Sequence, residues 1–158
     1  MTVITVNRSK GRLDQERRRK LAETLTDAVL VPEVGQFAPA ARIGFQVHFV
    51  EREPDMVAVG GRLLTDIGQE LDVRLVDVAV MGGDWRPEVR AEVIERLQEA
   101  LADACGLPAP SPAWWVHFRV IDEGSWGSSG GVASVLTLLA GGVFTEEKAK
   151  MMRAAIGV

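Results

Sequence analysis

One structural phrase is written twice along these 158 residues. The first copy runs from Thr2-Val3-Ile4-Thr5-Val6 through Gly11-Arg12-Leu13-Asp14 and a helical stretch ending before Val34-Gly35. It closes with Phe45-Gln46-Val47-His48-Phe49 and Gly60-Gly61. The second runs from the apolar stretch Val73 to Val80, through Gly83-Asp84-Trp85-Arg86 and a helical stretch ending at Cys105-Gly106, to Trp115-Val116-His117-Phe118 and Gly130-Gly131. Order, element lengths and the shared Val-His-Phe agree, and a repeat at this spacing constrains the fold more than any local signal. The chain therefore reads as a pseudo-dimer within a single domain, 1–158: repeat one 2–61, repeat two 72–131, and a C-terminal arm 132–158.

Periodicity supplies the elements. Residues 2–8 alternate as a strand, Gly11 breaks the chain, and a helix is expected over roughly 14–31 with Asp14 as its N-cap. Leu21, Leu25, Ala28 and Val29 give that helix one apolar stripe. The second helix, about 87–104, repeats the design with Val89, Val93, Ile94, Leu97 and Leu101; Pro87 suits its first turn, and Gly106 with Pro108 stops it. In the strands that follow, Phe45, Val47 and Phe49, like Trp114, Val116 and Phe118, should lie under the helices. Gln46, His48 and Val50, like Trp115, His117 and Arg119, should point the other way. Right-handed crossovers place both helices on one face. The expected fold is α/β (α+β): two tandem β-α-β units forming a four-stranded mixed sheet with two helices on one face, plus a C-terminal helical arm. The bare face, carrying Trp115 and both histidines, reads as a subunit interface. In the arm, Val132, Val135, Leu136 and Leu139 suggest a short helix ended by Gly141-Gly142, and Thr145 caps a last helix through Met151, Met152 and Ile156.

Composition bounds the function. A chain of this length, 47% apolar, buries a core without staples. Cys105 is the only cysteine, which excludes a disulfide framework and a thiolate metal cluster and leaves a small core residue. The N-terminus lacks the pattern of a secretory signal, and the apolar run from Val132 to Phe144 is too short and glycine-broken to span a bilayer, so a soluble, cytoplasmic protein is expected. A net charge of −4 argues against nucleic acid as a partner. The basic run Arg17-Arg18-Arg19-Lys20 reads as a solvated helix face beside Glu16 and Glu23. The glycines from Gly124 to Gly131 match neither a phosphate loop nor a dinucleotide fingerprint, and two histidines on separate strands give no zinc spacing. No cofactor and no metal are implied.

The strand beginning at Thr2, Gly11-Arg12 before a helix, the helix end Leu25-Thr26-Asp27-Ala28-Val29, the Val47-His48-Phe49 strand followed by Glu51, and the closing Gly-Gly together resemble the tautomerase superfamily. The doubled form resembles the cis-3-chloroacrylic acid dehalogenase group, and its single units resemble 4-oxalocrotonate tautomerase. The resemblance covers about residues 2–131 and implies a homotrimer around a central barrel and cofactor-independent isomerase- or lyase-like chemistry. That chemistry rests on an N-terminal proline whose amine, poorly solvated and neutral near pH 7, takes a proton from carbon beside a carbonyl, while arginines hold the substrate carboxylate.

Thr2 stands where the proline would be. With Met1 retained, the Thr2 nitrogen is an amide; with Met1 removed it becomes a primary amine beside a hydroxyl, and the alternative is that Thr2 merely opens a strand. Arg12 matches an arginine that assists with the carboxylate, or is a solvent-facing residue at a helix start. Gln46 stands in place of the second arginine and Val57 in place of an aromatic wall. Against the dehalogenase pattern, Val29 replaces the helix histidine and Met81 and Asp84 replace two arginines, with Arg86 nearby to compensate if the turn shifts. His117 falls where a tyrosine helps activate water, or, paired with His48, lines the assembly's interior and makes its stability pH-sensitive. Trp126 falls near the aromatic end of the same pocket, with Ser125 where the acid would be. The candidate site is thus Thr2 and His117 for catalysis and Arg12, Gln46, Arg86 and Trp126 for substrate, a small oxo acid or unsaturated carboxylate. The alternative is a non-catalytic trimeric protein of the same fold with a binding or structural role.

Overall fold

The computed structural model describes residues 1–68 and 71–158. The first half of the chain supplies β1 (Thr2–Ser9), α1 (Gln15–Val34), β2 (Phe45–Arg52), the hairpin β3 (Ala58–Val59) and β4 (Arg62–Leu63), and the single turn α2 (Leu64–Ile67). The second half supplies β5 (Arg74–Met81), α3 (Pro87–Cys105), β6 (Trp114–Ile121) and the hairpin β7 (Gly127–Ser128) and β8 (Gly131–Val132). The arm adds α4 (Val135–Ala140) and α5 (Glu146–Ile156).

The main sheet has the order β2-β1-β5-β6, parallel within each repeat and antiparallel where β1 meets β5. The register at that junction displays the duplication. Thr2 lies opposite Val80, Thr5 opposite Asp77 and Arg8 opposite Arg74, so a twofold rotation about the Thr5–Asp77 pair carries Thr2 onto Arg74 and Arg8 onto Val80. His48 beside Thr5 and His117 beside Asp77 occupy twofold-related places on the outer strands.

Alternation along the strands decides which face is dry. Ile4, Val6, Val76, Val78 and Val80 are buried with Leu21, Leu25, Val29, Val93, Leu97 and Leu101 from the two helices, and Phe45, Val47, Phe49, Val116 and Phe118 pack against them. Both long helices therefore cover one face, as the alternation predicts. Gln46, His48, Trp115, His117 and Arg119 lie exposed on the other.

Caps set the ends of the helices. The Asp14 carboxylate accepts from the Arg17 N–H at 2.8 Å, and Gly35 closes α1 in a left-handed conformation, its N–H donating to Val31 O at 2.9 Å. The expected end near residue 31 falls short. Pro32 lies inside the helix, which continues for a further turn to Val34. A proline costs one ladder hydrogen bond there, and the buried Leu30 and Val34 together with the Gly35 cap hold the turn nonetheless. That turn carries Glu33.

The arm builds a second, smaller core at the β1 start of the sheet. Met81, Val135 and Met152 are buried there, with Met1, Trp126, Leu138, Leu139, Phe144 and Ile156 packed around them. Thr145 caps α5, and its N–H donates to Val34 O at 2.8 Å; Gln36 Nε2 donates to Val143 O at 2.8 Å. Met152 lies where a side chain on Gly83 would be, so this turn needs glycine for close approach as well as for its positive φ. No helix among the described residues is long and apolar enough to cross a membrane.

Candidate functional site

The first strand starts inside the protein, with Met1 half-buried ahead of it. Thr2 is 1% exposed, and the Met1 carbonyl accepts from the Met81 N–H at 2.9 Å, which extends the β1–β5 ladder by one residue. With Met1 in place, the terminal amine is held at the edge of the arm's apolar cluster. Burial pulls this amine below its ordinary value of 8.0, and the Glu33 charge partly opposes the change. Glu33, only 6% exposed, responds in the opposite sense: burial pushes its carboxyl up from 4.5 to about 7, with the amine pulling it back. Both shifts have one cause, since a charge in a poorly hydrated space is disfavoured whatever its sign. Burial therefore favours the neutral form of both groups. The Thr2 hydroxyl, also buried, has no hydrogen-bond partner.

The walls of this end come from repeat two and the arm. Trp126 packs with Met1 against Met81, Val135 and Met152. In the turn after β5, Arg86 is gripped by Asp84 through Nε at 2.7 Å and Nη2 at 3.2 Å, and the Asp84 N–H meets the Met152 sulfur at 3.3 Å. Hydrogen bonding to Asp84 raises the Arg86 guanidinium further above its ordinary value, with the Glu147 charge on α5 adding to it. Arg86 is therefore a cation at the rim that already has an anion.

The expected site residues are only partly gathered. Thr2, Arg86 and Trp126 share the chain-start end. Arg12 lies beyond the far end of β1, about 23 Å away along the strand at 3.3 Å per residue. It lines a cavity of about 700 Å³ with Lys10, Glu53 and Leu64. Its twofold counterpart beside Thr2 is Asp84, of opposite charge. Gln46 and His117 face the bare side of the sheet, whereas the Thr2 side chain faces the helices. Gln46 Oε1 lies 3.0 Å from His48 Nε2, and His117 Nδ1 lies 3.3 Å from Asp77 Oδ1. Glu33 was not among the expected residues. Its signal is an acidic residue between Pro32 and Val34 on the apolar stripe that continues from Leu25 through Val29.

No protein-family model matches the chain, and no curated protein matches its sequence. Solved structures match its fold. Pt0534 inactivated by 2-oxo-3-pentynoate is 21% identical, with 86% of this chain and 98% of that one covered and a TM-score of 0.66. A fused 4-OT in its wild-type symmetric trimer gives 21%, 86%, 98% and 0.66. N1, a member of the cis-3-chloroacrylic acid dehalogenase family, is 19% identical, covers 96% of this chain and 99% of that one, and has a TM-score of 0.69. The chain has the fused tautomerase-superfamily fold.

Proposed function

We propose that the protein is a cofactor-independent, trimeric, cytoplasmic enzyme that moves a proton on a small oxo acid or unsaturated carboxylate, with the chain-start amine as its base. The observation that carries this reading is the buried amine beside the buried Glu33. A neutral amine takes a proton from carbon next to a carbonyl, and a carboxyl near pH 7 gives or receives the second proton, by which the double bond moves or water adds. Trp126 and Met152 supply the apolar wall. Arg86 supplies the charge for a substrate carboxylate only when that carboxylate displaces Asp84. Removal of Met1 would transfer the amine to Thr2, deeper in the strand, beside the unpartnered Thr2 hydroxyl. The trimeric state and the oxo-acid substrate are supported by the fused 4-OT trimer and by the inactivator of Pt0534, respectively.

One observation favours the non-catalytic reading: Trp126, Met152 and the Met1 side chain pack together where a substrate would lie. Intact mass assigns the amine to Met1 or Thr2, and light scattering counts copies of the 17.1 kDa chain. Ketonisation of phenylenolpyruvate is then followed in the wild type, in protein carbamylated at its terminus, and in Thr2→Pro processed to a free proline. Activity in the wild type, abolished by carbamylation, supports the proposal. An inert wild type beside an active Thr2→Pro overturns it in favour of the non-catalytic reading.

A further inference from the structure

The sheet face that the helices leave bare holds a polar group of its own, far from the chain start. Alternation along the strands turns Asn7, Arg52, Leu75, Asp77 and Trp115 to this face. The same five residues, with Met56 to Gly60 from the first hairpin, line a cavity of about 790 Å³. The neighbouring side chains of Arg8 and Arg74 belong to the helix-covered side, where Glu51 and Asp72 hold them, and take no part. The twofold rotation carries Asn7 onto Ala79, Arg52 onto Ile121, Asp77 onto Thr5 and Trp115 onto Gln46, so the other end of the sheet repeats none of this chemistry.

The polar groups form a loose chain with opposite charges at its two ends. Arg52 Nη2 donates to Asn7 Oδ1 at 3.3 Å, and Asn7 Nδ2 donates to Asp77 Oδ2 and to Leu75 O, each at 3.4 Å. On its other oxygen Asp77 meets His117 Nδ1 at 3.3 Å. All of these contacts exceed the usual range of about 2.7–3.2 Å, so a better-placed partner displaces them at little cost. Among the described residues no carboxylate pairs with Arg52, and no arginine or lysine pairs with Asp77. A single neutral amide keeps the guanidinium and the carboxylate apart, by about 9 Å at most from Nη2 to Oδ2. An α-amino acid has its ammonium and carboxylate on one carbon, and with a charge-assisted bond of about 2.8 Å at each end it spans that gap.

The rest of the cavity suits the remainder of such a molecule. Val57, Val73 and Leu75 give it apolar walls, and Trp115, 67% exposed, presents an indole one residue pair along the sheet from Asp77. An indole beside a carboxylate favours a cation, and an apolar body packs on the same ring. The volume and the few polar groups among apolar walls are those of a small-molecule site. We infer that this cavity binds an apolar α-amino acid, its ammonium on Asp77, its carboxylate on Arg52 and its side chain against Trp115 and Val57. The site uses none of the chain-start groups and stands whether or not proton transfer occurs there.

Phenylalanine, phenethylamine without the carboxylate and 3-phenylpropanoate without the ammonium are titrated into the full-length protein, with tryptophan fluorescence as readout. Saturable binding of phenylalanine is expected, with each analogue at least tenfold weaker. Asp77→Asn should abolish the preference for phenylalanine over 3-phenylpropanoate, and Arg52→Gln the preference over phenethylamine. Ala58→Trp, on the exposed hairpin strand that lines the cavity, should abolish binding with both charged groups in place, which keeps the test decisive if a charge variant fails to fold. In Trp115→Phe the fluorescence response should vanish, whereas a response that survives arises at another tryptophan and overturns the inference. So do equal binding of phenylalanine and either analogue, Ala58→Trp that binds as the wild type does, and the absence of saturable binding, including absence because copies of the chain cover this face.

Discussion

Replacing Glu33 with Gln keeps the shape of the side chain and removes its charge. In the folded chain burial lifts the carboxyl from 4.5 to about 7, so the native state holds this proton more tightly than the unfolded chain does. The resulting stability is fully present below pH 4.5 and is lost as pH rises through 7. At about 1.4 kcal/mol per pH unit, the loss approaches about 3 kcal/mol by neutrality and grows no further. The Met1 amine acts in the opposite sense: its lowered pKa penalises the native state where the amine must be charged, and that penalty is relieved as pH rises towards 8.0. Comparing wild type with Glu33→Gln at each pH separates the two. Urea unfolding at one fixed protein concentration should give equal stabilities near pH 4.5. The variant should lead by about 2–3 kcal/mol at pH 8, a midpoint difference of about 1–2 M for ordinary urea slopes. Parallel pH profiles would refute the reasoning. A variant less stable than wild type at pH 8 would show that Glu33 is a charged partner whose attraction to the amine outweighs the cost of burial.

Gly83→Ala introduces a methyl group where the Met152 sulfur sits, at a φ of 147° that favours glycine, so α5 should lift from the sheet. Amide exchange across Glu146–Ile156 should quicken at least tenfold while α1 and α3 keep their protection, and unchanged exchange in α5 would contradict the packing described. Asp84→Asn removes the anion that grips Arg86. If substrate is bound at the chain-start end, KM for phenylenolpyruvate should fall severalfold with a smaller change in kcat, and an unchanged KM would place Arg86 outside the substrate's reach.

Most of the architecture was legible because its signals are local and repeated. Gly35 and Gly106, Asp14 and Pro87, and the alternation in Phe45–Arg52 and Trp114–Ile121 each follow from backbone or side-chain geometry that tertiary context reinforces. The last turn of α1 was not legible, because propensity stops a helix at Pro32 while packing of Leu30 and Val34 carries it on. Glu33 was hidden for the same reason: it lies in the turn that packing adds beyond Pro32. The family resemblance groups Arg12 with Thr2, yet the intervening strand sends them to opposite ends of the chain's own sheet. Arg8 and Arg74 gave no signal either, since a lone arginine in an alternating strand ordinarily faces water, and only the antiparallel register reveals that the two meet in the core.

That register also explains how duplication changes what the fold can do. In a symmetric assembly of single units, every site carries the same groups. Once two units are joined in one chain, only one of them keeps a terminal amine, and the place it would occupy in the other becomes an internal residue, here Arg74. The two ends are then free to diverge in charge. The chain-start end holds Asp84 where the other has Arg12, and Val80 where the other has Arg8; it has gained a buried acid, Glu33, that suits proton exchange and not anion binding. The far end instead buries two guanidiniums, Arg8 held by Glu51 and Arg74 held by Asp72.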